Sequence, residues 1–168
     1  AGCDGVTVLA RPRRCGWGDW SLVAATLDAA RAALVAVPDA THLYLLSADC
    51  LPIRPAAAIR DALAARDADW IETEDFFASD WIRTGLREER LIYRHPFNER
   101  RQRRLFDVAL GLQRRFGLRR ALPEGLGMRI GSQWWCLRRA TVEALLALCA
   151  ARPDLPRFFR TTWIPDET

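Results

Sequence analysis

Lysine is absent from this chain, and all 25 basic residues are arginine. With alanine abundant as well, that bias looks genomic, so a single arginine is weak evidence of a selected guanidinium. Histidine occurs only as His42 and His95, which gives a histidine-based metal site or a Ser-His triad little support. No stretch free of charged residues reaches ten, against about 18 or more for a membrane-spanning helix. Neither a G-x-x-x-x-G-K-S/T nor a G-x-G-x-x-G string is found, which argues against phosphate binding by a P-loop or Rossmann turn. The five cysteines (Cys3, Cys15, Cys50, Cys136 and Cys149) form an odd set without C-x-x-C spacing. They read as single thiols, not as a zinc site or a disulfide framework. The opening residues include Asp4 and lack both Met and a basic n-region, so no signal peptide is visible.

What is present is an ordinary globular balance, 50% hydrophobic and 27% charged over 168 residues, the length of one domain. The net charge of +4 is uneven. Arg94 to Arg120 holds nine arginines against Glu99 and Asp107, a local +7 on a body of −3. One basic segment on a mildly acidic body differs from a uniformly basic nucleic-acid binder.

Val6 to Leu9 is a β-type run followed by an Arg/Pro/Gly-rich turn. A helix is predicted from Trp20 to about Val37, with Val23, Leu27, Ala30, Leu34 and Val37 on one face, Asp19 as its cap and Pro38 beyond it. His42 to Leu46 reads as a buried strand. Pro55 opens a second helix through Ala65, and Trp70 to Thr73 is a third strand. Strand, helix, strand, helix, strand is the grammar of a parallel α/β sheet with ligands along its carboxyl edge. Further on, Leu105, Val108, Ala109, Leu112 and Phe116 stripe a helix inside the basic segment. Gly131 to Leu137 reads as a strand, and Val142, Leu145, Leu146 and Cys149 stripe the last helix.

Asp67-Ala68-Asp69 is the one D-x-D string, the spacing with which two carboxylates hold a divalent ion and a nucleotide-sugar diphosphate. It precedes its strand and so lies on the wrong side for that task. Asp49 is better placed but stands alone. Seven tryptophans are many for this length. Trp17, Trp20 and Trp81 flank Gly, Ser or Asp, and Trp134 and Trp135 follow closely on Gly131-Ser132. At such places an aromatic face can stack on a sugar or base, and filling a core is the competing role.

Five blocks then converge. Cys15-Gly16-Trp17-Gly18-Asp19-Trp20-Ser21-Leu22-Val23 opens a helix, and Tyr44 to Ile53 reads YLLSADCLPI. Trp70-Ile71-Glu72-Thr73-Glu74, Gly131-Ser132-Gln133-Trp134-Trp135 and Pro165-Asp166-Glu167 follow in order. Together they resemble glycosyltransferase family 14, the core-2/I-branching β-1,6-N-acetylglucosaminyltransferases and related xylosyltransferases, in a bacterial-type member. Within the second block the family's Asp, three residues after the Ser, falls where this chain has Cys50, with Asp49 one residue earlier. The resemblance implies a GT-A type fold, a Rossmann-like, mostly parallel sheet with flanking helices. It also implies that residues 1–168 are one catalytic domain, incomplete at both ends.

The activity it implies is inverting transfer of a sugar, N-acetylglucosamine or xylose, from a UDP-sugar to a saccharide hydroxyl, with no cofactor and no divalent metal. Carried over by motif, Glu167 is the catalytic base, although an acid in the first turn of a helix is its plain structural role. Glu72, Arg83 and Trp134 fall on the acceptor side; Trp17, Ser47 and Asp49 fall on the donor side. The partners expected are a nucleotide-sugar and a saccharide or glycoconjugate, without nucleic acid and with peripheral membrane contact through the Arg-rich segment. The location expected of a bacterial member is the cytoplasm or the cytoplasmic membrane face, whereas eukaryotic members of the family are membrane-anchored. Two other readings stay open: a catalytically inactive family member, and a module gripping RNA, DNA or anionic lipid through Arg94–Arg120.

Overall fold

The structure, a computed structural model, describes residues 5–83 and 85–168; Cys3 lies outside them. In chain order the elements are α1 (Trp20–Ala36), β1 (His42–Tyr44), α2 (Ala56–Ala65), β2 (Trp70–Asp75), α3 (Glu89–Ile92), α4 (Arg103–Phe116), β3 (Arg129–Arg138), α5 (Arg139–Ala151) and α6 (Asp154–Phe159). A 3-10 turn at Pro165–Glu167 follows. As expected, Asp19 caps α1, accepting the Ser21 N–H at 2.7 Å. Ala24, Leu27 and Ala30 are the buried residues of α1, and Ala30 packs with Leu137 and Val142 from β3 and α5. A second cluster joins Phe76, Leu91, Met128 and Ile130, and a third joins Tyr93, Phe106 and Leu110.

The sheet corrects the expectation of a mostly parallel, Rossmann-like arrangement. Its order is β1-β3-β2, with β3 antiparallel to both neighbours. The strand-helix-strand grammar was sound as far as direction goes, because β1 and β2 both oppose β3 and therefore run the same way. They are not neighbours, however: the ten-residue β3 inserts between them and takes the hydrogen bonds of each. A repeating pattern of strands and helices reveals crossovers but not which later strand enters the gap.

Other expectations shift with it. Val6 to Leu9 forms no strand, and Val6 and Val8 are exposed; β-type residues without a pairing edge stay irregular. The strand expected through Leu46 ends at Tyr44, and it lies half-buried at the edge of the sheet instead of in its interior. On α4 the residues turned to the core are Phe106 and Leu110, while Leu105, Val108, Leu112 and Phe116 are exposed. Apolar side chains cover a wide arc of that helix, so spacing alone did not tell which part of the arc meets Tyr93 and Trp163.

Candidate active site

The site begins at an irregularity in β2 and β3. Ile71 pairs with Trp135, but Thr73 pairs with Gly131, so Glu72 alone faces Ser132, Gln133 and Trp134. Bulges of this kind bend a strand and re-aim its side chains, often beside active sites. Gly131 permits it, since a Cβ there would lie 2.0 Å from the Glu72 carbonyl oxygen. Within the bulge, the Ser132 hydroxyl accepts the Trp134 N–H at 3.1 Å.

The last turn supplies the second carboxylate. Ile164 has φ of 51°, the one non-glycine residue with positive φ among those described. This is a costly conformation for a β-branched residue. It is held by burial of the side chain and by the Ile164 N–H donating to the Gly18 carbonyl at 3.3 Å. The reversal starts the Pro165–Glu167 turn and directs it toward α3, where Arg90 is 2% exposed. Arg90 Nη1 lies 3.8 Å from Glu167 Oε2 and donates to Thr168 Oγ1 at 3.4 Å. The guanidinium also sits 5.0 Å from the Trp163 ring centre. Burial pushes the Glu167 carboxyl above its ordinary value; Arg90 pulls it down and Asp166 pushes it up. Asp166 is likewise raised by burial, and its Oδ1 is buried without a hydrogen-bond partner.

Arg120 fixes the segment leading into this turn. Its guanidinium donates to the carbonyls of Leu91, Phe158 and Arg90 and to the hydroxyls of Thr161 and Thr162, at 2.6 to 3.3 Å. Burial lowers its pKa to about 10.

Glu72 and Glu167, 95 positions apart in the sequence, line one cleft of about 220 Å³ together with Arg129, Gly131, Gln133, Trp135 and Asp166. Glu72 also shares a hollow of about 420 Å³ with Trp134, Tyr44 and Trp70. Of the three acceptor-side residues, Glu72 lines the cleft with Glu167, and Trp134 lines the neighbouring hollow with Glu72. Arg83 is exposed and does not line the cleft. Trp17 is 45% exposed and belongs to a separate pocket of about 300 Å³ with Asp19, His95, Asn98 and Trp163. The Arg100 guanidinium stacks 3.7 Å from the Trp17 ring centre. Ser47 and Asp49 lie in the turn after β1, where the Asp49 N–H donates to Ser47 Oγ at 3.3 Å, and neither lines the cleft.

Asp69 of the D-x-D string accepts from the Arg138 backbone N–H, Arg138 Nη2 and Thr141 Oγ1 at 2.8, 3.1 and 2.8 Å. Those bonds, chiefly with Arg138, lower its pKa to about 2. It ties β2 to the start of α5. Among the described residues no three His, Cys, Asp or Glu side chains gather as a metal-holding group. Arg90 was the residue sequence reading missed. Among 25 arginines it carries no mark, and only the fold shows that it is the one beneath Glu167.

No curated protein matches the chain. The sequence model of the family described as Branch, Core-2/I-Branching enzyme, matches residues 2–168. That span contains all five motif blocks and the three acidic residues of the cleft, Glu72, Asp166 and Glu167, and it covers nearly the whole sequence. The chain accordingly belongs to the Core-2/I-branching family of glycosyltransferases.

Proposed function

We propose that this protein is an inverting glycosyltransferase that moves a sugar, N-acetylglucosamine or xylose, from a UDP donor to a saccharide hydroxyl without a divalent metal. The observation that carries the reading is the one cleft that Glu72 and Glu167 both line. An acceptor hydroxyl is a poor nucleophile at neutral pH, so direct displacement requires a positioned base. Glu167 Oε takes the hydroxyl proton, and the freed oxygen attacks the anomeric carbon from the face opposite UDP. The bond to UDP breaks with its electron pair leaving on the diphosphate, and the configuration inverts. A pKa raised by burial makes Glu167 a stronger base than an ordinary carboxylate.

Glu72 accepts hydrogen bonds from acceptor hydroxyls, and Trp134 offers a ring face to the sugar beside it. Arg83 remains an acceptor-side candidate from the motif alone. Trp17, Ser47 and Asp49 are the donor-side candidates, on the loops before α1 and after β1. Metal independence is supported by the commitment of Asp69 to Arg138 and Thr141.

The test is incubation of the full-length protein with a panel of UDP-sugars and saccharide acceptors, reading UDP release and the anomeric configuration of the product by NMR. An inverted product formed at an unchanged rate in excess EDTA is expected. Activity lost to EDTA and restored by Mn²⁺ would overturn metal independence, and a retained configuration would overturn the single displacement.

A further inference from the structure

Helix α4 is held to the body along one face only. Phe106 and Leu110 are buried with Tyr93, and Trp163 packs against them; the Phe106 ring also stacks on His95 with centroids 5.3 Å apart. The adjoining face is apolar and open. Leu105, Val108, Leu112 and Phe116 are 47, 59, 50 and 66% exposed, and Leu118 just past the helix is 55% exposed. At about 3.6 residues per turn the four helical positions form one continuous stripe. Arg104 and Arg115 stand along its border, and Arg119 lies beyond its end; all three are exposed. Arg103 pairs with Glu99 and Asp107, and Arg114 pairs with Glu89. Arg104, Arg115 and Arg119 join no ion pair among the described residues. Isolated exposed leucines are normal on a protein surface, but a contiguous stripe rimmed by one sign of charge marks an interaction site.

We propose that this stripe docks on an anionic lipid bilayer, with α4 lying in the plane of the interface. Leu105, Val108, Leu112 and Phe116 enter the headgroup–acyl boundary, and Arg104, Arg115 and Arg119 meet lipid phosphates. An apolar face bordered by arginine is the pattern of interfacial helices, whose binding combines buried apolar area with attraction to anionic headgroups. Nucleic acid fits less well, because single strands are gripped by stacking on several aromatic rings and this stripe offers only Phe116. A second copy of the chain fits less well too, since self-association would bring two basic rims together. The inference does not depend on the transfer chemistry, and its test needs no donor sugar.

The test is co-flotation of the protein with vesicles of phosphatidylcholine alone and of phosphatidylcholine mixed with phosphatidylglycerol. Binding to the mixed vesicles is expected, weaker by about tenfold or more on neutral lipid and for Arg104→Gln/Arg115→Gln. Leu112→Asp/Phe116→Asp is expected to abolish it with the melting temperature within a few degrees of wild type, as both side chains are exposed. Equal binding to the two lipids, or undiminished binding by that second double variant, would overturn the proposal. So would RNA binding without vesicle binding, or a concentration-dependent dimer, without vesicle binding, that the same substitutions dissolve.

Discussion

At the scale of single residues, the site turns on how a guanidinium shut away from water is compensated. Removing a charge from water costs several kcal/mol unless a partner of opposite sign lies close by. For Arg90 the carboxylate in reach is Glu167, at 3.8 Å. Burial lowers Arg90 from its ordinary value, and Glu167 and Asp166 push it back up. In return the Arg90 charge opposes the rise that burial gives the Glu167 carboxyl. The groups facing Glu167 are Arg90 from α3, Asp166 within its own turn, and Glu72 and Arg129 across the cleft. If Glu167 must be ionised to work, kcat falls as pH drops through its pKa. Arg90→Met removes the charge that opposes burial, so that pKa rises further and the acidic limb of the kcat profile moves to higher pH. Arg90→Lys keeps the charge and is expected to leave the limb near its wild-type position. A Met variant that is folded, as circular dichroism reports, yet shows an unmoved limb would mean that Arg90 serves the turn and not the base.

At the scale of elements, the β2–β3 bulge decides where Glu72 points. Gly131→Ala would drive a methyl group against the Glu72 carbonyl, at 2.0 Å, and the Thr73 Cα, at 2.8 Å. Backbone has to move to relieve that contact, at a cost of about 2–3 kcal/mol of stability by the usual scale of overpacking. Denaturant unfolding checks this; a midpoint equal to wild type would show that the bulge accommodates a methyl group. The helices were largely legible from spacing and caps, with α1 starting one residue after Asp19 as read. Strand partners were not, because Trp70 to Thr73 reads the same whichever strand lies beside it. The apolar stripe on α4 was legible, but the side of it that meets the core was not, for a related reason. Periodicity finds an apolar arc, but the neighbour that covers part of it comes from Tyr93 and Trp163, remote in sequence. Glu72 and Glu167 were named from short motifs, and only the fold could bring them together.

At the scale of the whole molecule, three segments far apart in sequence build one cleft, and each is fixed by the core around it. β2 brings Glu72, β3 brings the bulge, and the turn that ends in Glu167 rests on Arg90 and on the segment tied down by Arg120. The basic segment Arg94–Arg120 is divided in its tasks. Arg120 is spent on carbonyls and hydroxyls inside, Arg100 stacks on Trp17, and Arg103 and Arg114 are paired. That leaves Arg94, Arg101, Arg104, Arg115 and Arg119 exposed, two of them on α4, instead of a uniform nucleic-acid surface. The claim that holds these parts together is that Glu167 is the base of a sugar transfer. Its most direct test is Glu167→Gln in the full-length protein, which keeps shape and polarity but removes the basic oxygen. The expected result is a fall in kcat of about 10²–10⁴, the span for loss of a general base, with UDP affinity by calorimetry unchanged. Turnover within a few-fold of wild type would contradict the assignment.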